Sequence, residues 1–336
     1  MLISWNTTNQ CNMFCEHCYR EAGCKLSDEL STSEAKKLID EIKKAGFEIM
    51  IFSGGEPLMR QDLCELGAYA TQKGLRAVLG SNGTLITPEA AVNLKNAGFR
   101  AAGISLDSLS PEKNDAFRKL DNTFERTVEG MKNLKNAGLP FQIHTTVMDW
   151  NVEELESITD FAVSIGAMAH HVFFLVPTGR GADIEQEGLR VVEYERTIAR
   201  IMEKQKTVPI ELKPTCAPQF MRVAGQKGLP VRFSRGCLAG ISYCIISPRG
   251  NVQPCAYMDM ALGNVRETPF DIIWKQNEIL NNLRTQNYGG KCGYCDYKEK
   301  CGGCRARAYY YTGDYMAEDP WCLYQPRKER ESAGND

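Results

Sequence analysis

Cys11, Cys15 and Cys18 stand on one short stretch, Cys11-Asn-Met-Phe-Cys15-Glu-His-Cys18. A four-iron cluster held by three thiolates keeps one iron open to bind something else, whereas a structural zinc site would recruit His17 as its fourth ligand. Downstream, Ser53-Gly54-Gly55-Glu56-Pro57 sets two glycines and a carboxylate in a turn, which offers backbone carbonyls and a side-chain anion to a cationic group. The chain has 14 cysteines in 336 residues. No basic, apolar signal segment opens the sequence, so a reducing compartment and metal ligation explain them better than disulfides. Eight crowd the C-terminal third: Cys237, Cys244, Cys255, Cys292, Cys295, Cys301, Cys304 and Cys322. They could fill two four-thiolate clusters, or two zinc ribbons built on the CxxC pairs. Cys24, Cys64 and Cys216 read as ordinary small buried residues.

The elements that must position these groups alternate short apolar runs with amphipathic stretches up to about residue 215, as repeated βα units do. Six strands are expected, at Leu2–Asn6, Glu48–Phe52, Arg76–Gly80, Ala101–Leu106, Phe141–Val147 and His171–Val176. Ser31 with Glu34 forms a capping box, and Thr87-Pro88 caps another helix. Glycines at 46, 98 and 138 close three helices ahead of strands. The cysteine triplet therefore leaves the C-terminal end of the first strand, where βα loops build active sites. Other strand ends bring Ser81 and Asn82, Ser105 and Asp107, and His144 to the same face. The expected organisation is a barrel over 1–215, a bridge over 216–236, a cysteine-rich domain over 237–325 held by metal more than by an apolar core, and a polar tail over 326–336. Lys and Arg total 40 against 42 Asp and Glu, which gives no positive field for nucleic acid. No apolar run is long enough to span a membrane, and a cytoplasmic location is expected.

The triplet and the Gly-Gly-Glu turn, in this order and at these loop positions, resemble the radical S-adenosylmethionine (SAM) superfamily over roughly the first 200 residues. The resemblance implies an α/β fold, a partial (β/α)6 barrel, with one catalytic 4Fe–4S cluster on Cys11, Cys15 and Cys18. It implies that SAM chelates the open iron while Gly54, Gly55 and Glu56, leading into Pro57, hold the methionyl ammonium. Tyr19 matches a position packed near adenine, and Arg118 resembles an arginine paired with the SAM carboxylate. Ser81, Asn82, Ser105, Asp107 and His144 complete the expected pocket, with Ser and Asp suited to ribose hydroxyls. The C-terminal cysteines resemble the SPASM domain of radical SAM maturases, although Cys301 and Cys304 are separated by two residues where that family has three. Its pairing, carried over, gives one auxiliary cluster on Cys237, Cys244, Cys255 and Cys304 and another on Cys292, Cys295, Cys301 and Cys322. Such full ligation fits electron transfer, hence a net oxidation of the substrate.

Among SPASM enzymes, the stretches ISWNTTNQCNMFCEHCYREAG, IFSGGEPL, QIHTTVMDWN and AHHVFFLVPTGRG resemble the haem-biosynthesis group. That likeness implies a tetrapyrrole substrate such as iron-coproporphyrin III, whose propionates would be oxidatively decarboxylated to vinyls through a 5′-deoxyadenosyl radical. It also implies a low-potential donor of the flavodoxin or ferredoxin type. Arg180, Arg232 and Arg235 are the candidate propionate partners, and His170 or His171 could approach an iron. The alternative is a maturase of a ribosomally made peptide, which a first strand starting at Leu2 leaves without its own leader-binding domain. A non-catalytic iron–sulfur carrier would need neither the Gly-Gly-Glu turn nor a three-thiolate cluster.

Overall fold

The computed structural model describes residues 1–326; most of the expected polar tail, from 327 on, lies outside the described residues. Eight strands form a parallel array: β1 (Leu2–Asn6), β2 (Ile49–Ser53), β3 (Arg76–Ser81), β4 (Ala101–Ser105), β5 (Phe141–Val147), β6 (Ala169–Phe174), β7 (Glu211–Thr215) and β8 (Tyr243–Ile246). They are ordered β8-β1-β2-β3-β4-β5-β6-β7, so the barrel stays open between β8 and β7. Short antiparallel strands β9 (Asn251–Gln253) and β10 (Gly263–Asn264) extend the edge beyond β8. The outward strand residues and the helices share one core, including Ile3, Trp5, Met50, Phe52, Leu79, Ile104 and Ile143. Each such side chain removed from water contributes about 1.5–3 kcal/mol.

The helix signals act as expected. Ser31 and Glu34 cap each other at the start of the helix Thr32–Lys44, and Thr87 caps Pro88–Asn96. Gly46, Gly98 and Gly138 all take positive φ, the conformation glycine adopts without a Cβ penalty.

Three expectations change. The sixth strand begins two residues earlier than read, at Ala169, because its alternation starts before the apolar run. A seventh strand, β7, follows the six expected ones and ends just before the expected bridge. It is an edge strand paired with β6 alone, which lets it hold Pro214 without losing a ladder bond on its free side. The cysteine-rich part is not held by metal alone. Its strand β8 pairs in parallel with β1, and Phe270 and Trp274 pack on Phe47 at ring separations of 5.5 and 4.9 Å. Residues up to Leu280 therefore share the barrel's core, and beyond them Cys301, Tyr297 and Trp321 pack with Val172, Phe174 and Leu212.

Candidate active site

The two N-terminal motifs are fastened side by side. Gly55 N donates to Thr8 O (2.8 Å) and Glu56 N to Gln10 O (2.7 Å), so the glycine turn runs along the residues that lead into Cys11. That approach requires glycine: a Cβ on Gly54 would stand 2.5 Å from Thr8 O, and one on Gly55 2.2 Å from Gln10 O. Gly54 also has φ of 145°. Arg180 clamps the cysteine loop from the far side, its Nε donating to Cys15 O (3.0 Å) and its Nη1 to Ala22 O (3.0 Å). Arg180 thereby commits two of its nitrogens to loop carbonyls.

The Cys11, Cys15 and Cys18 thiols lie within one another's electrostatic reach. Burial pushes Cys11 up to about 12 and raises Cys15, so loading iron displaces protons from this set. His17 turns away from the thiols: it stacks on Phe117 (4.2 Å) and lies 3.8 Å from Asp107 Oδ2. Burial holds its pKa down at about 4. Among the described residues no three His, Cys, Asp or Glu side chains converge as ligands of a single ion would.

Glu56 is fully buried and caps the turn Pro57–Met59. Its carboxylate accepts Ser81 Oγ (2.9 Å), Asn82 N (2.9 Å) and Leu58 N (3.2 Å). Burial still raises it to about 7, since three dipoles do not replace a lost cation or water. A carboxylate with four lone-pair sites retains one acceptor position for a cationic ligand. Asn82 is wholly engaged: its Nδ2 donates to Asn12 Oδ1 (2.8 Å) and its Oδ1 accepts from Thr84 N and Oγ1. It links the cysteine loop to Glu56. Asp107 is also engaged, with Oδ2 on Arg118 Nη2 (2.6 Å) and Oδ1 on Thr146 N (2.7 Å), so it orients Arg118. Arg118 keeps a buried Nε–H without a partner and lies in the field of Cys15 and Cys11, an arrangement suited to an incoming carboxylate. Tyr19 donates to Asn6 Oδ1 (2.9 Å) and tilts against Tyr257 (5.4 Å). Ser105 makes no side-chain hydrogen bond among the described residues.

Inside the barrel the strand register sets Ser105, His144, His171 and Lys213 in one row across β4 to β7. His144 and His171 stack at 5.5 Å with ring planes 5° apart, and the His144 ring fills the space over Gly103. His144 also contacts Gln142 Nε2 (2.6 Å). His170, one residue along, faces outward between Thr145 Oγ1 and Thr159 Oγ1, both at 2.9 Å. It therefore cannot meet a substrate iron; the alternation of β6 leaves that to His171.

The C-terminal thiols separate into two groups. Cys216, Cys237, Cys255 and Cys304 share one electrostatic neighbourhood. Cys244 does not join them. It pairs with Ile3 across β1 and β8, is fully buried in the barrel core, and has Arg284 as its charged neighbour. Cys216, taken from sequence for a plain buried residue, stands in its place. It follows β7 directly and has φ of 60°, a left-handed backbone that costs a non-glycine residue about 1–2 kcal/mol. Arg307 Nη2 donates to its carbonyl (2.9 Å). Cys292, Cys295, Cys301 and Cys322 form the second group around a small cavity.

A buried ion pair joins the groups. Asp319 Oδ2 accepts Arg307 Nη1 (3.2 Å), Cys304 N (2.7 Å) and Gln219 Nε2 (2.7 Å), while Asp319 N points at Cys292 Sγ (3.5 Å). Arg235 Nε donates to Cys237 O (3.0 Å) and its Nη2 reaches Tyr288 Oη (3.4 Å). Arg232 stays exposed, acting on Glu211. Cys216, Lys213, Asn12 and the Arg307–Asp319 pair were missed in the sequence, and the KPTCAP prolines at a strand end were the available signal for the first two.

A three-thiol loop against a glycine turn, at the C-terminal ends of an open parallel barrel, defines a class of enzyme, and comparisons with known proteins agree. Residues 5–162 match the Radical SAM superfamily and 237–305 an iron–sulfur cluster-binding domain, SPASM. The chain belongs to the radical SAM superfamily, binds a 4Fe–4S cluster and SAM, and carries a SPASM iron–sulfur domain. More particularly, it is 45% identical over 341 residues to the AdoMet-dependent heme synthase of Nitratidesulfovibrio vulgaris, covering 97% of this chain and 93% of that one. It is 44% identical over 342 residues to the protein of that name in Methanosarcina barkeri, covering 98% and 97%. The crystal structure of Streptococcus suis SuiB bound to precursor peptide SuiA shares the fold, with a TM-score of 0.77 at 16% identity over 96% of this chain and 76% of that one.

Proposed function

We propose that this chain converts iron-coproporphyrin III to haem by oxidative decarboxylation of two propionates. Each propionate gives up one hydrogen atom, one carbon dioxide and one electron to become a vinyl group. The observation that carries the reading is near-half identity, over almost the whole of both chains, to two AdoMet-dependent heme synthases. The site supports it. The three-thiol loop and the four-thiol group containing Cys216 stand at the ends of β1 and β7, with the polar row of β4 to β7 within the same barrel.

When bound, the clusters and SAM supply a hydrogen-abstracting radical and a sink for the electron. The residues present fit them. We assign the catalytic cluster to Cys11, Cys15 and Cys18, the methionyl amino group to the Gly54–Gly55 carbonyls and the spare acceptor of Glu56, and its carboxylate to Arg118. Asp107 and Asn82 position these groups. The auxiliary ligands become Cys216, Cys237, Cys255 and Cys304 for one cluster and Cys292, Cys295, Cys301 and Cys322 for the other. With four thiols each, neither set keeps an iron free, which suits electron transfer. The division into barrel, bridge and SPASM domain at 215 and 236 is retained, with Cys216 at its seam. A flavodoxin- or ferredoxin-type donor and a cytoplasmic location accompany this reading; among the described residues no helix is long and apolar enough to cross a membrane.

The test is anaerobic incubation with SAM, a strong reductant and iron-coproporphyrin III, followed by mass spectrometry of the porphyrin. Loss of two carboxyl groups supports the assignment, and an unchanged porphyrin beside continued SAM cleavage contradicts it.

A further inference from the structure

Lys213 is an unusual residue to find on the inner face of a barrel strand. Its Nζ sits 4.0 Å from the Phe233 ring centroid. Among the described residues it has no hydrogen bond and no carboxylate within ion-pair distance. Glu211, two residues earlier on the same face, has its Oε1 on His171 Nε2 (3.0 Å). Burial pushes the Lys213 ammonium below its ordinary range, with Glu211 and Cys216 pulling weakly the other way. A cation partly withdrawn from water without an anion costs the fold some stability, and an aromatic face returns only part of the loss. Its neighbours do not relieve it. His144 and His171 are held neutral, burial being the main cause, and so offer no negative charge.

Its place gives this cost a purpose. Lys213 ends the row Ser105, His144, His171, Lys213 and stands three residues before Cys216, within that thiol's field. A ligand in the barrel between the N-terminal thiols and the Cys216 group would lie against this row.

We propose that Lys213 is the anchor for a substrate carboxylate, and that this carboxylate is one the reaction retains. The inference rests on the tetrapyrrole reading above. An ammonium paired with a carboxylate stabilises that anion and not the neutral carbon dioxide it would become. Placed on a reacting propionate, Lys213 would oppose the chemistry; placed on a retained one, it fixes the macrocycle so that another edge meets the SAM side. The row of Ser105, His144 and His171 then forms the polar wall beside the anchor.

The test is equilibrium binding, without reductant, of iron-coproporphyrin III, of haem and of the tetramethyl ester of iron-coproporphyrin to the metal-loaded parent, Lys213→Met and Lys213→Arg. Lys213→Met should weaken both acids by the same factor, roughly 10- to 100-fold, as loss of a charged hydrogen-bond partner does. The ester should bind parent and Met variant alike, and Lys213→Arg should keep most of the affinity. The ligand-free Met variant should melt no lower than the parent, because a half-buried charge without a carboxylate partner has been removed. Undiminished acid binding by the Met variant, an equal loss for the ester, or a lower melting temperature would overturn the anchor. A loss confined to iron-coproporphyrin III would overturn the retained-carboxylate assignment. Failure of the parent itself to bind iron-coproporphyrin III would instead strike the tetrapyrrole reading, and the anchor with it.

Discussion

Replacing Cys216 and Cys244 one at a time with Ala separates two ligand sets that look interchangeable in sequence. Cys216 shares a neighbourhood with Cys237, Cys255 and Cys304, whereas Cys244 faces Ile3 and the barrel core. A chain with one three-thiol and two four-thiol sets should hold about twelve irons. Cys216→Ala leaves three thiols in one set, and if that cluster is lost the iron content falls to about eight per chain. Cys244→Ala should keep about twelve and lose about 1 kcal/mol of stability from one deleted buried atom and the small void behind it. Iron and sulfide analysis of anaerobically reconstituted protein, with electron paramagnetic resonance of the reduced clusters, reads both numbers. In Cys216→Ala the signal of the SAM-bound cluster should persist, since Cys11, Cys15 and Cys18 lie on the other side of the barrel opening. Iron lost from Cys244→Ala and kept in Cys216→Ala would refute the assignment.

Three further outcomes follow from the packing. Glu56→Ala strands Ser81 Oγ, Asn82 N and Leu58 N, so SAM affinity in an equilibrium titration should fall by about 2–3 kcal/mol; unchanged affinity would give Glu56 another role. His170 is held at about 3, first by burial, below the value near 6.5 it has when unfolded. The unfolded chain therefore takes the proton first, and this group's contribution is intact above pH 6.5 and is lost as pH falls from there toward 3. At pH 5 the loss is about 2 kcal/mol, and His170→Gln should show a correspondingly smaller drop in denaturation midpoint between pH 7 and 5 than the parent. Asp319→Asn leaves the Arg307 guanidinium buried and unpaired, which should cost about 3–5 kcal/mol and lower iron retention in both auxiliary sets; a melting temperature within a degree of the parent would contradict the network's role.

Much of the architecture was legible because its signals are local. The capping box at Ser31, the glycines ending helices and the apolar runs of β1 to β5 each carry their own instruction, and the structure follows them. β7 was hidden because its residues alternate lysine, proline and glutamate with few apolar ones, a pattern that only an edge strand lining a barrel makes sensible. The cysteine triplet and glycine turn were readable for the same local reason, as both lie on short loops of fixed spacing. Among the auxiliary thiols Cys216 was not, because it meets Cys237, Cys255 and Cys304 only through tertiary folding. Cys244 carried the right residue type in the right region, yet strand alternation turns it into the core. Arg180 and Arg235 looked free in sequence, and the structure spends both on backbone carbonyls beside cysteines. The Arg307–Asp319 pair has no sequence signature; its meaning comes from what surrounds it.

The central claim is that hydrogen abstraction here is coupled to loss of carbon dioxide and of an electron from a propionate. The most direct measurement is the ratio of 5′-deoxyadenosine to vinyl groups, followed over time by liquid chromatography and mass spectrometry with iron-coproporphyrin III as substrate. A ratio that approaches one per vinyl formed, two per haem, with a monovinyl species rising and then falling, is the predicted result. 5′-Deoxyadenosine accumulating with the four carboxyl groups still on the porphyrin would contradict it.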